Sequence, residues 1–476
     1  MQRPYPSARA GQARHDGRVT SADVVDNLRA NFDAGLTRPL SWRRSQLRQL
    51  IRLLQEGEDE LLGALRADVG KPATEAWMSE LALTVAELEF MIDHLADWAE
   101  PEKAKLPLWV RPGRGYVRRE PLGVALVIAP WNYPVELVVL PMAAALAAGN
   151  CVVGKPSELA PITSETLASL VPRFLDERAV AIVEGGVPET TELLSRRWDH
   201  IFYTGNARVA RVVMEAAARH LTPVTLELGG KSPTIVCRDA NLDVAARRIA
   251  WGKFFNAGQT CIAPDHVLVD EAVHDELVAK VTAATRSFYG SDPRRSPDYA
   301  RIVNDAHFNR LVELLDGGGY KEVVLGGDRD EASLYLGPTV VDGIEDDAPA
   351  MGQEIFGPIL PIRAVADVDA AIAHVTAGDK PLALYAFTES KATAEHIVER
   401  TSSGGVVINH VLLQFGVPGL PFGGVGASGT GSYHGRAGFE TFSHRKAVLV
   451  KPTRPDPPIT YPPITAWKQR ILRRVM

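Results

Sequence analysis

The sequence predicts an α/β fold with two doubly wound domains in succession and a smaller additional part. Two observations lead to this prediction. At 476 residues, the chain is too long for one ordinary domain. It also contains two successive series in which short apolar strands alternate with helical segments, and this pattern favours parallel sheets covered by helices.

The N-terminal region is predicted to be helical. Apolar residues recur at the i, i+3, i+4 and i+7 positions of one helix face, and they are Leu47, Leu50, Ile51 and Leu54. A second helix is expected at 75–99, before Pro101. The next segment, 102–119, is rich in Pro and Arg, and we predict an edge hairpin or an excursion outside the core.

The first alternating series begins at Gly123. Its strands are apolar enough to be buried, and helical segments separate them. We predict strands at 123–129, 151–157, 180–185, 200–205 and 223–230. We predict helices at 137–148, 163–175 and 208–219.

The second series follows directly, and the chain then ends in a Pro-rich tail. We predict strands at 232–238, 266–270, 382–388 and 405–409, and helices at 243–255, from 273 onward and at 392–399. The tail finishes in a short basic helix at 466–476, which we expect to dock on the surface. A peripheral membrane contact is the less favoured alternative, because the apolar face is small.

Composition narrows the function classes. The net charge of −6 gives no electrostatic footprint for nucleic acid or anionic lipid. Three cysteines are too few for a disulfide framework and favour a reducing compartment. The N-terminus lacks an apolar signal core, and the most apolar stretch, 137–148, is too short to span a bilayer. We expect a cytoplasmic protein without nucleic-acid partner, transmembrane span or metal site.

The stretch "FFNAGQTCIAPD" places Cys261 just after a predicted helix end. A thiol reacts as thiolate, so it needs a lowered pKa or a nearby base. Gly258 gives the backbone enough freedom for a tight turn that leaves the N–H of Cys261 available to an oxyanion. A buried, unreactive thiol is the alternative, and Cys261 alone does not decide between them.

Two further polar residues follow predicted strands. Glu227 ends the strand in "LELGGKSP", where partial burial would make it a general base; a salt-bridged carboxylate is the alternative. Asn132 in "APWNYP" lies at the carboxyl end of another strand, where α/β sheets bind ligands. Its amide is a candidate second oxyanion donor, and a turn residue beside Pro134 is the alternative.

Two motifs suit a dinucleotide, and a third places a carboxylate between apolar flanks. In "GKPSE", Lys155 and Glu158 are placed to bind a ribose. In "YTGN", residues 204–206 lead from a strand into a helix whose N-terminus can face a pyrophosphate, although Asn206 as a helix cap is the alternative. In "QEIFGP", Glu354 and Phe356 lie between apolar flanks, and a solvated loop is the alternative for Glu354.

The stretch "GGVGASG" matches G-x-G-x-x-G through Gly424, Gly426 and Gly429. No helix of the expected kind follows it, so the match is weak evidence for a nucleotide site. We predict a glycine-rich loop that approaches another segment closely.

Together, these motifs resemble the aldehyde dehydrogenase superfamily. "PWNYP", "GKPSE", "YTGN", "LELGGKSP", "GQTCIAPD", "EIFGP" and "LPFGGVGASG" occur in family order, from roughly residue 21 to the C-terminus. "CIAPD", "PWNYP" and the tail resemble the class 3 branch, near the fatty, aromatic and coniferyl aldehyde dehydrogenases. The resemblance implies oxidation of an aldehyde to a carboxylic acid with NAD, or alternatively NADP, as cofactor.

The resemblance also implies residue roles. Cys261 would attack the aldehyde to give a thiohemiacetal, held by its own N–H and by Asn132. Oxidation would leave a thioester, which water activated by Glu227 would hydrolyse. The cofactor residues implied are Ile128, Ala129, Pro130, Trp131, Lys155, Ser157, Glu158, Thr204, Gly205, Asn206, Val209, Gly229, Glu354 and Phe356. Ala210 departs from the family, which usually has glycine there.

The substrate is expected to be a hydrophobic aldehyde, aromatic or of medium to long aliphatic chain. By position, Tyr133, Trp251 and Phe255 would line the tunnel. Leu412, Leu413 and Phe415 would lie at its mouth. Ordinary core packing is the alternative for these side chains.

The domain plan also comes from the resemblance. Residues 1–101 and 123–228 would form the NAD(P)-binding domain and 229–415 the catalytic domain. Residues 102–122 and 440–452 would form a bridging arm that pairs with another subunit in a homodimer, and 453–476 a C-terminal tail.

Three other functions stay open at this point. A coenzyme A-acylating relative would pass the acyl group to coenzyme A, which Glu227 argues against. A non-catalytic protein could have kept the fold. A cysteine hydrolase would need a His partner for Cys261, and His266 lies on a predicted strand instead.

Overall fold

The computed structural model of the protein describes residues 21–476. The expectation that the N-terminus carries no signal, and the first 20 residues of the predicted 1–101 segment, lie outside the described residues.

The N-terminal region is helical, as predicted. Its α-helices are α1 (Ser21–Asp33), α2 (Leu40–Glu56), α3 (Glu58–Val69), α4 (Ala73–Ala76) and α5 (Leu83–Ala99). On α2, Leu47, Leu50 and Leu54 are buried. One turn of π-helix, Trp77–Ala82, separates α4 from α5. The sequence pattern predicted a continuous helix here and gave no sign of this wider turn.

The segment that follows is an antiparallel hairpin, which confirms the predicted edge hairpin. Strand β1 (Glu102–Ala104) pairs with β2 (Arg114–Pro121). All three residues of β1 are exposed, so this hairpin lies outside the core.

The first series forms a parallel sheet. Its strands are β3 (Val124–Ile128), β4 (Cys151–Lys155), β5 (Val180–Ile182), β6 (His200–Thr204) and β7 (Val224–Glu227), in the order β7-β6-β3-β4-β5. The connecting helices are α6 (Glu136–Ala148), α7 (Pro161–Phe174), α8 (Val187–Leu194) and α9 (Ala207–Ala218). Every residue of α6 is buried, which explains why all of its residues after Glu136 are apolar. Helix α8 was not predicted.

The second series forms a larger sheet in the order β10-β13-β14-β9-β8-β15-β16. Its strands are β8 (Pro233–Val236), β9 (His266–Asp270), β10 (Glu322–Leu325), β13 (Thr339–Asp342), β14 (Ile359–Val365), β15 (Ala383–Phe387) and β16 (Gly405–Ile408), and β11 (Arg329–Asp330) and β12 (Tyr335–Leu336) form a separate hairpin. The helices are α10 (Leu242–Phe254), α11 (His274–Tyr289), α12 (Asp305–Asp316), α13 (Val368–Ala377) and α14 (Lys391–Arg400). Only the β10–β13 pair is antiparallel within this sheet.

The C-terminal part returns to the first sheet. Strand β17 (Gly429–Thr430) pairs with β7, and α15 (Gly435–Thr441) packs on α5 and α6. A side chain at Gly429 would collide with the carbonyl oxygen of Leu226, so the predicted close approach of the glycine-rich loop is confirmed. Strand β18 (Ser443–Val450) then adds to β2, and α16 (Ala466–Val475) ends the chain.

This topology places the predicted site. Strands β3, β4, β6 and β7 are parallel, so Ile128, Lys155, Thr204 and Glu227 end at one edge of the first sheet. The assignment of cofactor and catalytic roles to the two sheets stays a prediction. Over residues 21–476, no helix is both long and apolar enough to cross a membrane.

Candidate active site

The turn before Cys261 has an unusual backbone. Helix α10 ends at Phe254, and Asn256 and Ala257 then take left-handed conformations with φ of 52° and 49°. Gly258 follows with φ of 74°, and a side chain there would collide with the carbonyl oxygen of Gly357. Each left-handed non-glycine residue costs about 1–2 kcal/mol, so this turn needs partners that hold it in place.

Buried polar contacts supply those partners. The Asn256 N–H donates to a side-chain oxygen of Glu75 over 2.9 Å. The Asn256 side-chain amide donates to the carbonyls of Asn132 (3.0 Å) and Gln259 (3.2 Å). The Gln259 amide nitrogen donates to the carbonyls of Asn256 and Arg301, and its oxygen accepts from the Val303 N–H. The turn that precedes Cys261 is therefore fixed from several sides.

Cys261 is the one partly exposed cysteine, since Cys151 and Cys237 are buried. Burial of its thiol, followed by the nearby carboxyl groups of Glu354 and Glu227, raises the pKa of Cys261. The resting thiol is therefore protonated at neutral pH, and its use as a nucleophile requires a base.

Glu227 is the last residue of β7, and its side chain is buried. In the part of the chain that the structure describes, neither carboxylate oxygen has a hydrogen-bond partner. Burial raises the pKa of Glu227 well above its ordinary value. The salt-bridged alternative does not match this environment, whereas a buried carboxyl with a raised pKa suits a general base.

Asn132 and Tyr133 lie beside the cysteine turn although they are distant in sequence. The Asn132 side-chain amide donates to the Gln259 carbonyl over 3.1 Å, and the Tyr133 hydroxyl shares a 2.6 Å hydrogen bond with the Thr260 hydroxyl. An asparagine amide carries two N–H bonds, so one remains to donate to an oxygen bound near Cys261.

The end of β4 carries the predicted ribose residues. The Lys155 ammonium donates to the Pro156 carbonyl (2.7 Å) and lies 3.5 Å from a Glu158 oxygen. Lys155 is buried, whereas 47% of the Glu158 side chain is exposed. The Ser157 hydroxyl accepts from the Leu159 N–H. Glu158 is thus a half-exposed carboxylate three residues after the end of β4, with one oxygen near Lys155.

The end of β6 leads into α9. The Asn206 side chain accepts from the Val209 N–H over 3.0 Å, so the helix-cap alternative for Asn206 is confirmed. The Thr204 hydroxyl is buried and has no hydrogen-bond partner among the described residues. Gly205 lies against the Tyr203 hydroxyl, and Ala210 is buried in α9.

Glu354 faces the first sheet from the loop before β14. Its carboxylate fills the space where Gly229 would carry a side chain, and the Gly230 backbone hydrogen-bonds to it. Its Oε1 atom is buried without a partner within residues 21–476. Burial, with the neighbouring Asp265, raises the pKa of Glu354 to about 8. The solvated-loop alternative for Glu354 is therefore wrong.

This loop is held by residues that sequence reasoning did not assign. The Arg310 guanidinium donates to the carbonyls of Glu354 (3.3 Å) and Ile355 (2.6 Å). Asp265 accepts from the Ile355 N–H, and Lys231 donates to Asp265 and to the Ala350 carbonyl. Lys231 lies in the "LELGGKSP" motif and Asp265 in the "GQTCIAPD" motif, so the sequence gave a signal for both. Arg310 lies on α12 outside these motifs, and no sequence signal pointed to it.

Aromatic side chains pack beside the loop that carries Glu354. Phe356 has φ of 48°, and its ring meets Trp131 edge-on at 5.6 Å. Ile128 and Ala129 are buried at the end of β3, and the Ala129 N–H donates to the Lys155 carbonyl. Pro130 is partly buried between them and Trp131.

The donor set fits a dinucleotide. It offers a half-exposed carboxylate shortly after a strand end, an unpartnered buried hydroxyl at Thr204 and an unpartnered buried carboxyl oxygen at Glu354. A side chain at Gly205 would collide with the Tyr203 hydroxyl, and one at Gly229 would collide with the Glu354 carboxyl group. Across the described chain, no group of three or more His, Cys, Asp or Glu side chains is arranged to hold a metal ion.

The predicted substrate residues fall into two groups. Tyr133, Phe255 and Leu412 are buried, and the Phe255 ring lies 5.4 Å from Trp251. Trp251 and the exposed Leu413 line an open cavity of about 380 Å³. Phe415 packs against Phe422 (4.9 Å) and His434 (4.5 Å), as its core-packing alternative predicts.

Comparisons with known proteins give one family. The sequence model of the aldehyde dehydrogenase family matches residues 2–448. Aldehyde dehydrogenase family 3 member A2 of Mus musculus is 48% identical over 92% of this chain and 90% of its own. The "Aldehyde dehydrogenase, dimeric NADP-preferring" of Canis lupus familiaris is 46% identical over 94% of this chain and 99% of its own.

A solved structure described as the substrate-bound state of Staphylococcus aureus AldH superposes with a TM-score of 0.93. It is 39% identical and covers 96% of this chain and all of that one.

Proposed function

The chain belongs to the aldehyde dehydrogenase family and is an NAD(P)-dependent oxidoreductase, and on this premise we propose that it oxidises a hydrophobic aldehyde to a carboxylic acid with Cys261, Glu227 and Asn132 as its catalytic residues. The observation that carries this proposal is the grouping around the cysteine turn. Asn132 donates to Gln259, two residues before Cys261, and the pKa of Cys261 responds to Glu227.

In the first half of the reaction, Cys261 attacks the aldehyde carbon. Because its pKa is raised, the thiol proton has to leave as the bond forms. Cys261 is partly exposed, so solvent water takes this proton, and the first half does not depend on Glu227. The thiohemiacetal oxygen then accepts hydrogen bonds from the Cys261 N–H and from the free N–H of Asn132.

When bound, the nicotinamide supplies the hydride acceptor that converts the thiohemiacetal to a thioester. Glu354, Phe356 and the 128–131 segment would hold that end of the cofactor. Lys155, Ser157 and Glu158 would hold the adenosine ribose. Residues 204–206, with Val209 and Gly229, would contact the part of the cofactor between these two ends.

In the second half, water hydrolyses the thioester. Glu227 removes a proton from this water, and its buried, unpartnered carboxylate is suited to the task. The same feature disfavours the coenzyme A-acylating alternative, in which no water needs activation.

The substrate class rests on the side chains near the cysteine turn. Tyr133, Phe255 and Leu412 are buried, and Trp251 opens to the surface cavity. This lining favours an aromatic aldehyde or an aliphatic aldehyde of medium to long chain. The name of the canine relative supports acceptance of NADP and a dimer, and the bridging arm β1-β2-β18 is the surface we assign to that dimer. We also propose that the protein is located in the cytoplasm.

An aldehyde panel tests this function. Each aldehyde is offered with NAD and with NADP, with and without coenzyme A, and absorbance at 340 nm is followed. We expect the highest kcat/KM for aromatic and longer aliphatic aldehydes, without any need for coenzyme A. Turnover that depends on coenzyme A, or no turnover across the panel, would contradict the proposal.

A further inference from the structure

We propose that the buried ion pair between Lys71 and Glu80 is a positioning element for the reaction, because it sets the direction of the Asn132 amide. The inference rests on the proposed function, in which Asn132 donates to the reacting oxygen. Neither residue touches substrate or cofactor in this account, so both are positioning residues rather than catalytic ones.

The pair is completely enclosed. The Lys71 ammonium lies 2.5 Å from Glu80 Oε1, and both side chains have 0% exposure. Lys71 lies between α3 and α4, and Glu80 lies in the π-helical turn Trp77–Ala82. π-helical turns often occur at functional sites, and this one places its carboxylate toward the Asn132 segment.

Both partners also hold the 132–136 segment. The Lys71 ammonium donates to the Asn132 carbonyl over 3.0 Å and lies 4.0 Å from the centre of the Tyr133 ring. Glu80 Oε2 accepts from the N–H groups of Val135 and Glu136, each over 3.0 Å. The segment is thus fixed at both ends by one ion pair.

The same short helical stretch reaches the other side of the site. Glu75, five residues before Glu80, accepts from the Asn256 N–H in the left-handed turn. The Asn256 side chain in turn donates to the Asn132 carbonyl, which Lys71 also contacts. The helical stretch that carries Glu75 and Glu80 therefore contacts both the cysteine turn and the segment of the candidate oxyanion donor.

Packing stability alone does not account for this arrangement. Replacement of a buried ion pair by neutral groups of similar volume is often neutral or stabilising, whereas removal of one partner leaves an uncompensated charge. A test therefore has to remove both charges together.

The experiment compares four enzymes: wild type, Asn132→Ala, the double variant Lys71→Met/Glu80→Gln, and the triple variant that combines them. The Glu80→Gln change keeps a side-chain oxygen that can accept from Val135 and Glu136. We expect the double variant to lose kcat by about 10- to 100-fold while the Kd for NAD stays unchanged. In the Asn132→Ala background, the same two changes should alter kcat by less than about threefold, because the residue through which they act is gone.

A second readout separates positioning from collapse of the site. Alkylation of Cys261 by iodoacetamide forms no oxyanion, so its rate should stay within about twofold of wild type in the double variant. Glu87→Gln is the matched control, because Glu87 is also buried but accepts its hydrogen bond from the Gly435 N–H rather than from the 132–136 segment. This control should keep wild-type kcat.

Two results would overturn the inference: an equal loss of kcat with and without Asn132, or a double variant in which Cys261 alkylation slows as much as kcat. If the double variant does not fold, Lys71→Gln/Glu80→Gln, which also removes both charges together, replaces it in the same cycle, with the same outcomes. An Asn132→Ala enzyme with wild-type kcat would instead refute the proposed role of Asn132, independently of the ion pair.

Discussion

The cysteine turn and the ribose edge of the cofactor site are built in opposite ways. In the turn, Asn256 and Gln259 are fully buried, and their side-chain nitrogens donate to protein carbonyls. At the ribose edge, nearly half of the Glu158 side chain is exposed. Under the proposed function, the protein fixes the reacting groups by itself, whereas polar groups at the edge are left for the cofactor. Changes in the turn should therefore reduce kcat, and changes at the edge should alter KM.

The largest effect is expected from Cys261→Ala. Loss of the nucleophile should lower aldehyde oxidation on the order of 10⁴-fold or more. Binding of NAD, measured by calorimetry, should persist because the ribose edge is untouched. Cys237→Ala changes a buried cysteine in an apolar cluster that does not include Cys261, so it serves as the control and should keep oxidation. Wild-type oxidation by the Cys261 variant would refute the nucleophile assignment.

The next effect is expected from Glu227→Gln. Without the base, hydrolysis of the thioester should slow by about 10²–10⁴-fold, so acyl enzyme accumulates. Stopped-flow absorbance at 340 nm should then show a burst of reduced cofactor before a slow steady rate. An unchanged burst together with an unchanged steady rate would exclude Glu227 from the reaction.

A smaller effect is expected at the ribose edge from Glu158→Gln. The carboxylate should repel a 2′-phosphate, so its neutralisation should lower the KM for NADP by about tenfold and leave kcat with NAD nearly unchanged. Glu215→Gln on α9, which removes another exposed carboxylate, is the control. A fall in kcat with both cofactors would contradict this prediction, because it would show that Glu158 affects the reaction step as residues of the turn do.

The smallest effect concerns stability. Burial raises the pKa of Glu75 from 4.5 to about 8, so between these values the folded protein holds a proton that the unfolded chain has lost. Wild-type stability should therefore decline as pH rises through this window. Glu75→Gln keeps an acceptor for the Asn256 N–H without titrating, so its Tm should rise relative to that of the wild type as the pH increases from 5 to 8.5. A difference in Tm that does not change with pH would contradict this account.

The contrast between local and long-range contacts also explains which site residues could be predicted from the sequence. Cys261, Glu227 and Asn132 lie at strand ends or helix ends within short motifs, so local pattern was enough to select them. The ion pair of Lys71 and Glu80 was not predictable, because its partners at 132–136 meet it only after the helices pack. Local signals say little about such contacts.

Some of the fold was missed for physical reasons. Strand β14 contains Pro361, which argues against a central strand, yet it pairs with both β13 and β9. Strand β10 is short and partly exposed, so it lacks an apolar signal. The return of β17 to the first sheet depends on a close approach between backbones, which side-chain pattern does not reveal.

The most direct test of the central claim is mass spectrometry of the Glu227→Gln enzyme after brief mixing with NAD and an aromatic aldehyde. The account predicts one added acyl group on the proteolytic peptide that contains Cys261, with release of reduced cofactor in equal amount. Reduced cofactor formed while that peptide stays unmodified throughout the burst, or acylation of a different residue, would contradict it.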